Sequence, residues 1–269
     1  MHKMHEIRKT VWSKQPLIHC ITNPISINQC ANGILAIGAR PIMAEHPDEV
    51  REITETADAL MLNLGNITDA RMQSMKVSLQ AAKEKQIPVI ADAVGIACSA
   101  LRRNYLTELL KIGTPDVIKG NYSEICALYH TAYRASGVDA DAALSEESIC
   151  RIAAELARKY RTTILASGKA DVVTHGKSIV HVKNGTSQLS SVTGTGCMLG
   201  ALCGAYLSAG CAMEAAVTAC AVLGVCGQLA QTENGSGSFM VKLMDALSTL
   251  TPAQLEQYKN LEETQYETL

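Results

Sequence analysis

The chain has 269 residues, of which 47% are hydrophobic and 4% aromatic, and its formal net charge at pH 7 is −2. This length and composition are sufficient for one large α/β core. The near-neutral charge excludes a strongly basic surface for nucleic acid or for an anionic membrane. The scarcity of aromatic side chains also argues against a stacking surface for single strands.

The ten cysteines favour reduced, buried thiols over a disulfide framework or a metal cluster. They form no Cys-x-x-Cys pair, and most have Ala, Leu or Val as neighbours, which is the pattern of small core residues in a reducing compartment. The first fourteen residues are polar and lack the apolar segment of a signal peptide. We therefore expect a cytoplasmic protein.

Apolar, β-prone runs alternate with segments of helical periodicity along the chain. The predicted strands are Leu17–Ile21, Ala39–Met43, Ala59–Leu64, Val89–Asp92, Val117–Ile118, Thr163–Ala166, Val172–Thr174 and Ser178–Val182. The predicted helices are 24–37, 47–57, 68–85, 99–112, 121–131, 145–160, 195–209, 212–232, 237–249 and 252–260. This repeated order predicts a three-layer α/β/α fold with a mostly parallel central sheet.

The domain organisation follows from the lack of a linker composition or an internal repeat. We predict a single domain over residues 1–269, with loosely docked ends at 1–10 and 261–269 and a surface loop at 132–142. Residues 196–230 contain one charged side chain, Glu214, and resemble a membrane span in hydropathy. Because a Ser-Ala-Gly break interrupts that run, we expect two closely packed buried helices instead of a membrane segment.

Polar or flexible residues follow the predicted strands, at the edge where open α/β sheets bind ligands. Asn23 ends the first strand, and with Pro24 behind it the residue fits either a helix N-cap or a ligand contact. Met43 ends the second strand, where it is either a core residue or the wall of a small apolar pocket. Asp92 ends the fourth strand before a glycine-containing loop and is a candidate for a metal or phosphate site.

The fifth and sixth strands end in the same way. Asn121 and Glu124 have the spacing of a capping box at the start of a helix. The same geometry would also direct the carboxylate of Glu124 and the nearby Lys119 toward a ligand. Ser167 and Gly168 follow the sixth strand and add small, hydrogen-bonding groups at this edge.

The segment Ser191-Val192-Thr193-Gly194-Thr195-Gly196-Cys197 is a polar, glycine-rich turn that opens onto an apolar helix. The unpaired N–H groups and the dipole of such a helix start suit a phosphate group. A thiol at this position, here Cys197, tends to become a thiolate. The spacing matches neither a Walker loop nor the dinucleotide fingerprint. A tight loop with a packed cysteine is the alternative interpretation.

These motifs together resemble the hydroxyethylthiazole kinases, thiamine-salvage enzymes of the ribokinase-like superfamily. The resemblance covers roughly residues 12–260 and rests on the motifs Ile21-Thr22-Asn23, Ala31-Asn32-Gly33, Gly38-Ala39-Arg40-Pro41-Ile42-Met43-Ala44, Leu62-Asn63-Leu64-Gly65, Asp92-Ala93-Val94-Gly95, Gly120-Asn121, Glu124-Ile125, Val192-Thr193-Gly194-Thr195-Gly196-Cys197 and Gly235-Ser236-Gly237-Ser238-Phe239. The cysteine at 197 is the most specific feature, because related sugar and vitamin kinases usually carry Asp there.

The resemblance implies transfer of a phosphoryl group from ATP, with Mg²⁺, to 4-methyl-5-(2-hydroxyethyl)thiazole. By motif, Met43 and Gly194 would contact the thiazole with help from Asn23, and Cys197 would be catalytic. The implied ATP-binding residues are Lys119, Ser167, Asn121, Gly168, Thr195 and Gly196, and the implied Mg²⁺-organising residues are Asp92 and Glu124. The resemblance also implies a homotrimer with sites at the subunit interfaces.

The chain departs from the family pattern at three places. Lys119 stands where Arg is common, which keeps the charge but loses the bidentate fork. Ser167 stands where Thr is common, and the hydroxyl group is retained. The segment after Asp92, residues 93–99, lacks a Pro and a Gly of the common motif.

Three other functions compete with this interpretation. A kinase for a hydroxymethylpyrimidine or a pyridoxal-like alcohol would be expected to carry Asp in place of Cys197. A non-catalytic binder of thiazole or nucleotide would fit Lys119 and the altered loop, but the joint presence of Asp92, Glu124 and Cys197 argues against it. A redox or metal protein built on the ten cysteines is a third alternative.

Overall fold

The computed structural model describes residues 2–130, 133 and 145–266. The strands are β1 (Leu17–Ile21), β2 (Arg40–Ile42), β3 (Ala59–Asn63), β4 (Val89–Asp92), β5 (Val117–Asn121), β6 (Thr163–Ser167), β7 (Asp171–His175), β8 (Ser178–Val182) and β9 (Leu261–Gln265). The helices are α1 (His2–Lys14), α2 (Ile27–Ala36), α3 (Val50–Glu55), α4 (Asp69–Lys85), α5 (Ala100–Ile112), α6 (Tyr122–Tyr129), α7 (Glu146–Tyr160), α8 (Thr195–Leu207), α9 (Ala212–Leu229), α10 (Ser236–Thr249) and α11 (Pro252–Tyr258).

The strands form one sheet in the order β2-β1-β3-β4-β5-β6-β7-β8-β9. The pairs from β2 through β6 are parallel, whereas β6–β7, β7–β8 and β8–β9 are antiparallel. The carboxyl ends of six neighbouring strands therefore lie at one edge of the sheet. The mostly parallel sheet agrees with the prediction from the alternating strands and helices.

Side chains alternate between the two faces of the sheet and build two separate cores. Met61 of β3 and Ile90 of β4 belong to the core under α1, α2, α8, α9 and α10, whereas Leu60 and Val89 belong to the core under α4 to α7. Because both faces of the parallel strands are covered, the strands are apolar along their length. The helices and the sheet thus make three layers.

Helix α8 crosses the strands at close range because small residues face the sheet. A Cβ added to Gly200 would lie 2.9 Å from Cε of Met61, and one added to Gly204 would lie 3.4 Å from Cγ2 of Ile90. Helix α9, which packs beside α8, has the length and composition of a membrane span, but 72% of its residues are buried inside the molecule. Residues 196–230 are two core helices, as the sequence predicts.

The prediction of loose ends at 1–10 and 261–269 is wrong for the described residues. Ile7 and Val11, four residues apart on α1, are buried, and the Arg8 guanidinium donates to the carbonyl of Leu250. Two apolar side chains one turn apart are sufficient to dock an otherwise polar helix. The C-terminal strand β9 pairs with β8 along the sheet edge. The predicted loop 132–142 lies outside the described residues except for position 133.

Candidate active site

The site lies at the carboxyl edge of the parallel strands, where the start of α8 meets the ends of β1, β3, β4 and β5. Gly194 is the N-cap of α8 with φ +89°, a left-handed conformation that favours glycine. The first helical bond runs from the N–H of Met198 to the carbonyl of Gly194 at 2.8 Å. The N–H groups of residues 195–197 precede that bond and make the anion-binding start of the helix.

Cys197 is the third residue of α8, partly buried, and its sulfur has a defined donor. The side-chain Nδ2 of Asn23 lies 3.3 Å from Cys197 Sγ. The Oδ1 atom of Asn23 accepts from the N–H groups of Ile25 and Ser26 at 3.1 and 3.2 Å. Asn23 is therefore not the N-cap of α2, which begins at Ile27 after a turn that Asn23 holds. The prediction of a helix from residue 24 is wrong by this one turn.

Asn63, the last residue of β3, connects Asn23 to the neighbouring strand. Its Oδ1 accepts from Asn23 Nδ2 at 3.2 Å and from the N–H of Gly65 at 2.8 Å. Its Nδ2 donates to Oδ2 of Asp92 at 3.3 Å. Asn63 has no solvent exposure. A chain of hydrogen bonds therefore runs from Cys197 through two amides to a buried carboxylate.

Asp92 and Lys119 form a buried ion pair at the ends of β4 and β5. Nζ of Lys119 lies 3.0 Å from both carboxylate oxygens of Asp92. The side chain of Asp92 is 0% exposed, and that of Lys119 is 4% exposed. The two residues are opposite each other in the parallel register. Burial lowers the pKa of Lys119, but the charges of Asp92, Glu124 and Cys197 outweigh it and hold this pKa above its usual value. Lys119 thus carries a positive charge beneath the start of α8.

Glu124 closes the capping box that its spacing predicts at the start of α6. The Oδ1 atom of Asn121 accepts from the N–H of Glu124 at 2.9 Å, and Glu124 Oε2 accepts from the N–H of Asn121 at 2.7 Å. Glu124 Oε1 accepts from the N–H of Gly95 at 2.7 Å. Burial, followed by the charge of Asp92, raises the pKa of Glu124 to about 7. This carboxyl therefore also fixes the loop after β4.

The loop after β4 keeps a defined shape despite its departures from the family pattern. Gly95 has φ +78°, and its carbonyl accepts from the N–H of Ser99 at 3.0 Å. Ser99 is the N-cap of α5, and the side chain of Arg103 donates to the carbonyls of Ile96 and Ala97. Helix capping and one buried arginine thus replace the missing proline and glycine.

The predicted nucleotide residues on β6 stand beside those on β5. Ser167 is opposite Asn121 in the sheet, and its hydroxyl donates to the carbonyl of Gly120 at 3.4 Å. A Cβ on the exposed Gly168 would lie 2.6 Å from the ring of Tyr122. The hydroxyl of Thr195 donates to the carbonyl of Leu189 at 2.7 Å. The donor of this hydroxyl is therefore used inside the protein, and the donor that Thr195 offers a ligand is its backbone N–H.

Met43 follows β2, the edge strand next to β1, and is partly buried against the core under α8. The loop behind it is held by His19 of β1, whose Nε2 lies 2.9 Å from the carbonyl of Ala44. Arg71 of α4 adds an ion pair with Glu45 at 2.8 Å. These contacts hold the segment that follows Met43 in place at the carboxyl edge of the sheet.

Gly194 packs against the start of α2. A Cβ at Gly194 would lie 3.2 Å from Cβ of Ser26 and 3.6 Å from Cδ of Gln29. The hydroxyl groups of Ser26 and Thr22 are buried, with 1% and 2% exposure. A buried hydroxyl group, that of Ser26, therefore lies next to the glycine-rich turn.

The carboxylates fit a Mg²⁺ ion that is shared with phosphate groups. Mg²⁺ is commonly held by one or two carboxylates together with substrate phosphates and waters. Asp92 ends β4, and Glu124 lies in the first turn of α6, directly after β5. Each carboxylate oxygen of Glu124 accepts from one backbone N–H, although a carboxylate oxygen can accept two hydrogen bonds. Over residues 2–130, 133 and 145–266, no group of three or more His, Cys, Asp or Glu side chains is arranged to hold a metal alone.

The structure brings together most of the residues that the sequence singles out and adds several others. Asn23, Asp92, Lys119 and Cys197 belong to one polar chain, and Asn63 completes it. The sequence signal for Asn63 is a lone amide at the end of an otherwise apolar strand. Ser26, Thr22 and Tyr122 have no comparable signal, because their roles depend on contacts between distant segments.

Comparisons with known proteins show the family to which the chain is similar. The model of the hydroxyethylthiazole kinase family matches residues 8–253. A relative from Clostridium botulinum strain Kyoto, "Hydroxyethylthiazole kinase 2", is 43% identical over 251 residues, which are 91% of this chain and 95% of the relative. The structure of a hydroxyethylthiazole kinase from Pyrococcus horikoshii superposes with a TM-score of 0.91 at 33% identity and covers 98% of this chain and 100% of that one.

A more distant match extends the fold relationship only. The structure of a Staphylococcus aureus pyridoxal kinase, solved with AMP-PCP and pyridoxal, has a TM-score of 0.65 at 12% identity and covers 93% of this chain and 98% of that one. At this identity the likeness shows the shared fold alone.

Proposed function

This chain belongs to the hydroxyethylthiazole kinase family, and we propose that its phosphoryl transfer takes place at the start of α8, beside Cys197 in the first turn of that helix. The reaction converts 4-methyl-5-(2-hydroxyethyl)thiazole and ATP into the thiazole phosphate and ADP. The observation that carries the assignment of the site is the sulfur of Cys197, which accepts a hydrogen bond from Asn23 beside the open N–H groups of the helix.

Phosphoryl transfer depends mainly on positioning and on neutralising charge. The N–H groups of residues 194–197 hold the transferring phosphoryl group through the helix dipole. Lys119 supplies positive charge beneath the same turn. Ser167, Gly168 and Asn121 hold the nucleotide at the ends of β5 and β6, and Thr195 and Gly196 contribute backbone N–H groups.

Cys197 takes the proton of the substrate alcohol. The hydroxyethyl oxygen attacks the γ-phosphorus, the bond between that phosphorus and ADP breaks, and the hydroxyl proton moves to Cys197 Sγ. The side-chain amide Nδ2 of Asn23 donates hydrogen bonds to Cys197 Sγ and to Asn63 Oδ1. Asn23 therefore acts on the thiazole indirectly, by orienting the sulfur that receives the proton.

Asp92 and Glu124 would hold Mg²⁺ together with the phosphates of ATP. The ion would offset negative charge on the phosphate oxygens. The structure supports this role through two buried carboxylates at the ends of neighbouring elements. Their own task in the protein is to keep the loop at Gly95 and the side chain of Lys119 in place.

Met43 and Gly194 form the thiazole side of the site, and a neighbouring subunit completes it. Large apolar side chains on the neighbouring helices and turn are exposed: Ile25 before α2 by 60%, Leu35 on α2 by 54% and Val241 on α10 by 63%. Ile25 is two residues from Asn23, so a subunit that covers it would reach the site. We assign the protein as a cytoplasmic homotrimer, and light scattering coupled to gel filtration measures its mass.

Release of ADP by the purified protein tests the function. With ATP and Mg²⁺, we expect release that depends on hydroxyethylthiazole and exceeds the release with hydroxymethylpyrimidine and with no alcohol. Equal release with hydroxymethylpyrimidine would favour the related vitamin kinase. A folded protein that binds thiazole but releases no ADP would be a non-catalytic binder.

A further inference from the structure

Asn63 lies between two other polar side chains and contacts neither the sulfur nor the ion pair partner Lys119. Both ends of its amide have an unambiguous partner. Its Nδ2 faces the carboxylate of Asp92, which can only accept, and its Oδ1 faces the N–H of Gly65, which can only donate. The amide therefore has one orientation.

This orientation is passed on to Asn23. Because Asn63 presents an oxygen, the facing atom of Asn23 must be the donor Nδ2. The N–H groups of Ile25 and Ser26 impose the same choice from the other side, since they require an acceptor at Asn23 Oδ1. One N–H of Asn23 then points at Cys197 Sγ.

We propose that Asn63 is a positioning residue that keeps the amide of Asn23 turned so that it donates to the sulfur of Cys197. The chain of contacts begins at Asp92, whose charge is held in place by Lys119, and ends at the group that receives the proton. Asn63 and Asn23 have 0% and 5% exposure, so water is not a competing partner for their amides. Hydrogen bonds to charged groups in such an environment are strong and directional.

The chemical consequence concerns the thiolate form of Cys197. An N–H donor stabilises a thiolate, and the thiolate is the form that reacts with alkylating agents and accepts a proton. Without Asn63, the amide oxygen of Asn23 keeps its two backbone donors, but Nδ2 loses the acceptor that fixes it from the side of β3. The sulfur then loses a donor of stable direction, although no contact of Cys197 itself has been changed.

The test is the rate at which iodoacetamide modifies Cys197 in the protein without ATP or Mg²⁺, quantified by peptide mass spectrometry. The exposed Cys211 in the same chain is the internal reference. We expect Asn63→Ala to slow modification of Cys197 about tenfold relative to Cys211, the lower end of the range for one hydrogen bond to a charged group. Asn32→Ala, which removes an exposed amide on α2, is the matched control and leaves the rate unchanged.

A merely structural role gives the opposite result. If Asn63→Ala only loosened the protein, modification of Cys197 would speed up, and the buried Cys30 and Cys203 would become reactive as well. Such an increase, or an unchanged rate, overturns the proposal. If Asn63→Ala does not fold, Asn63→Leu retains nearly the same volume without the amide, and the same tenfold loss is expected.

A double-variant cycle tests whether Asn63 acts through Asn23. Asn23→Ala alone should slow modification of Cys197 as much as Asn63→Ala does, and the double variant should be no slower. Additive losses would show that Asn63 acts by another route. The proposal rests on the proposed function only in taking Cys197 as the group that receives the proton. A slower alkylation in Asn63→Ala would support the positioning role even if the kinase assay failed. An unchanged alkylation rate would overturn that role without affecting the result of the kinase assay.

Discussion

Nζ of Lys119 lies 3.0 Å from both carboxylate oxygens of Asp92, and both side chains are inaccessible to solvent. Removing one partner of a buried ion pair leaves an uncompensated charge, which costs about 3–5 kcal/mol. We expect Lys119→Met to lower the free energy of unfolding by about that amount. Chemical denaturation measures it.

The control is an exposed ion pair elsewhere in the same protein. Lys183 pairs with Glu262 at the sheet edge with 42% and 55% exposure, and Lys183→Met should cost no more than about 1 kcal/mol. Equal losses in the two variants would contradict the importance of burial.

Lys119→Arg should fold and lower KM for ATP, because the guanidinium keeps the charge and adds a second donor for phosphate.

Gly65 has no room for a side chain beside the two amides. A Cβ there would lie 2.8 Å from Asn23 Nδ2 and 2.8 Å from Asn63 Oδ1. Gly65→Ala should push the amides apart and lower kcat/KM for thiazole about 10²-fold, the cost of roughly 1 Å of misplacement at a reacting group. Steady-state kinetics with ADP detection measures this loss.

Gly237→Ala is the matched control for Gly65→Ala. Gly237 lies within α10, and a Cβ there would meet nothing within 4 Å. Helix propensity predicts an unchanged kcat and a gain of about 0.5–1 kcal/mol in stability. Normal kinetics in Gly65→Ala would show that the amide chain tolerates displacement.

His19 makes stability depend on pH. Burial lowers the pKa of His19, with the hydrogen bond to Ala44 and the charge of Glu49 opposing the shift. Between the lowered folded value and the unfolded value of about 6.5, the unfolded chain binds more protons. The contribution of neutral His19 is therefore complete above about pH 6.5 and is lost as pH falls.

Thermal melts of the unmodified protein and of His19→Gln from pH 8 to pH 5 measure this effect. The stability of the unmodified protein relative to the variant should fall with decreasing pH, by at most about 1.4 kcal/mol per pH unit for one proton. Parallel curves for the two proteins would mean that His19 does not titrate on unfolding.

The sequence predicts most of this fold because local patterns carry it. Short β-prone runs of two to six residues mark eight of the nine strands, and the Asn121–Glu124 spacing predicts the observed capping box. The sequence does not predict β9, because Leu261–Gln265 is polar and gains its partner, β8, only from the tertiary fold. It does not predict α1 either, because the apolar side chains of that helix are few.

The candidate site is predictable only in part. Strand ends identify Asp92 and Lys119 as neighbours, since parallel strands finish at one edge. The ion pair itself joins residues that are 27 positions apart in the sequence. The hydrogen bond from Asn23 to Cys197 joins residues that are 174 positions apart. Such contacts depend on register and helix docking, which a single sequence does not encode locally. The start of α8, in contrast, is visible from its glycines.

The most direct test of the account is kcat for thiazole phosphorylation by Cys197→Ala. We predict a loss of about 10²-fold, the lower end for a general base, with unchanged folding and ATP binding and with Cys211→Ala as the control that loses nothing. Cys197→Asp should stay active, because a carboxylate also accepts a proton. An unchanged kcat in Cys197→Ala, or a folded, ATP-binding Cys197→Asp without activity, would contradict the role of Cys197 as the base.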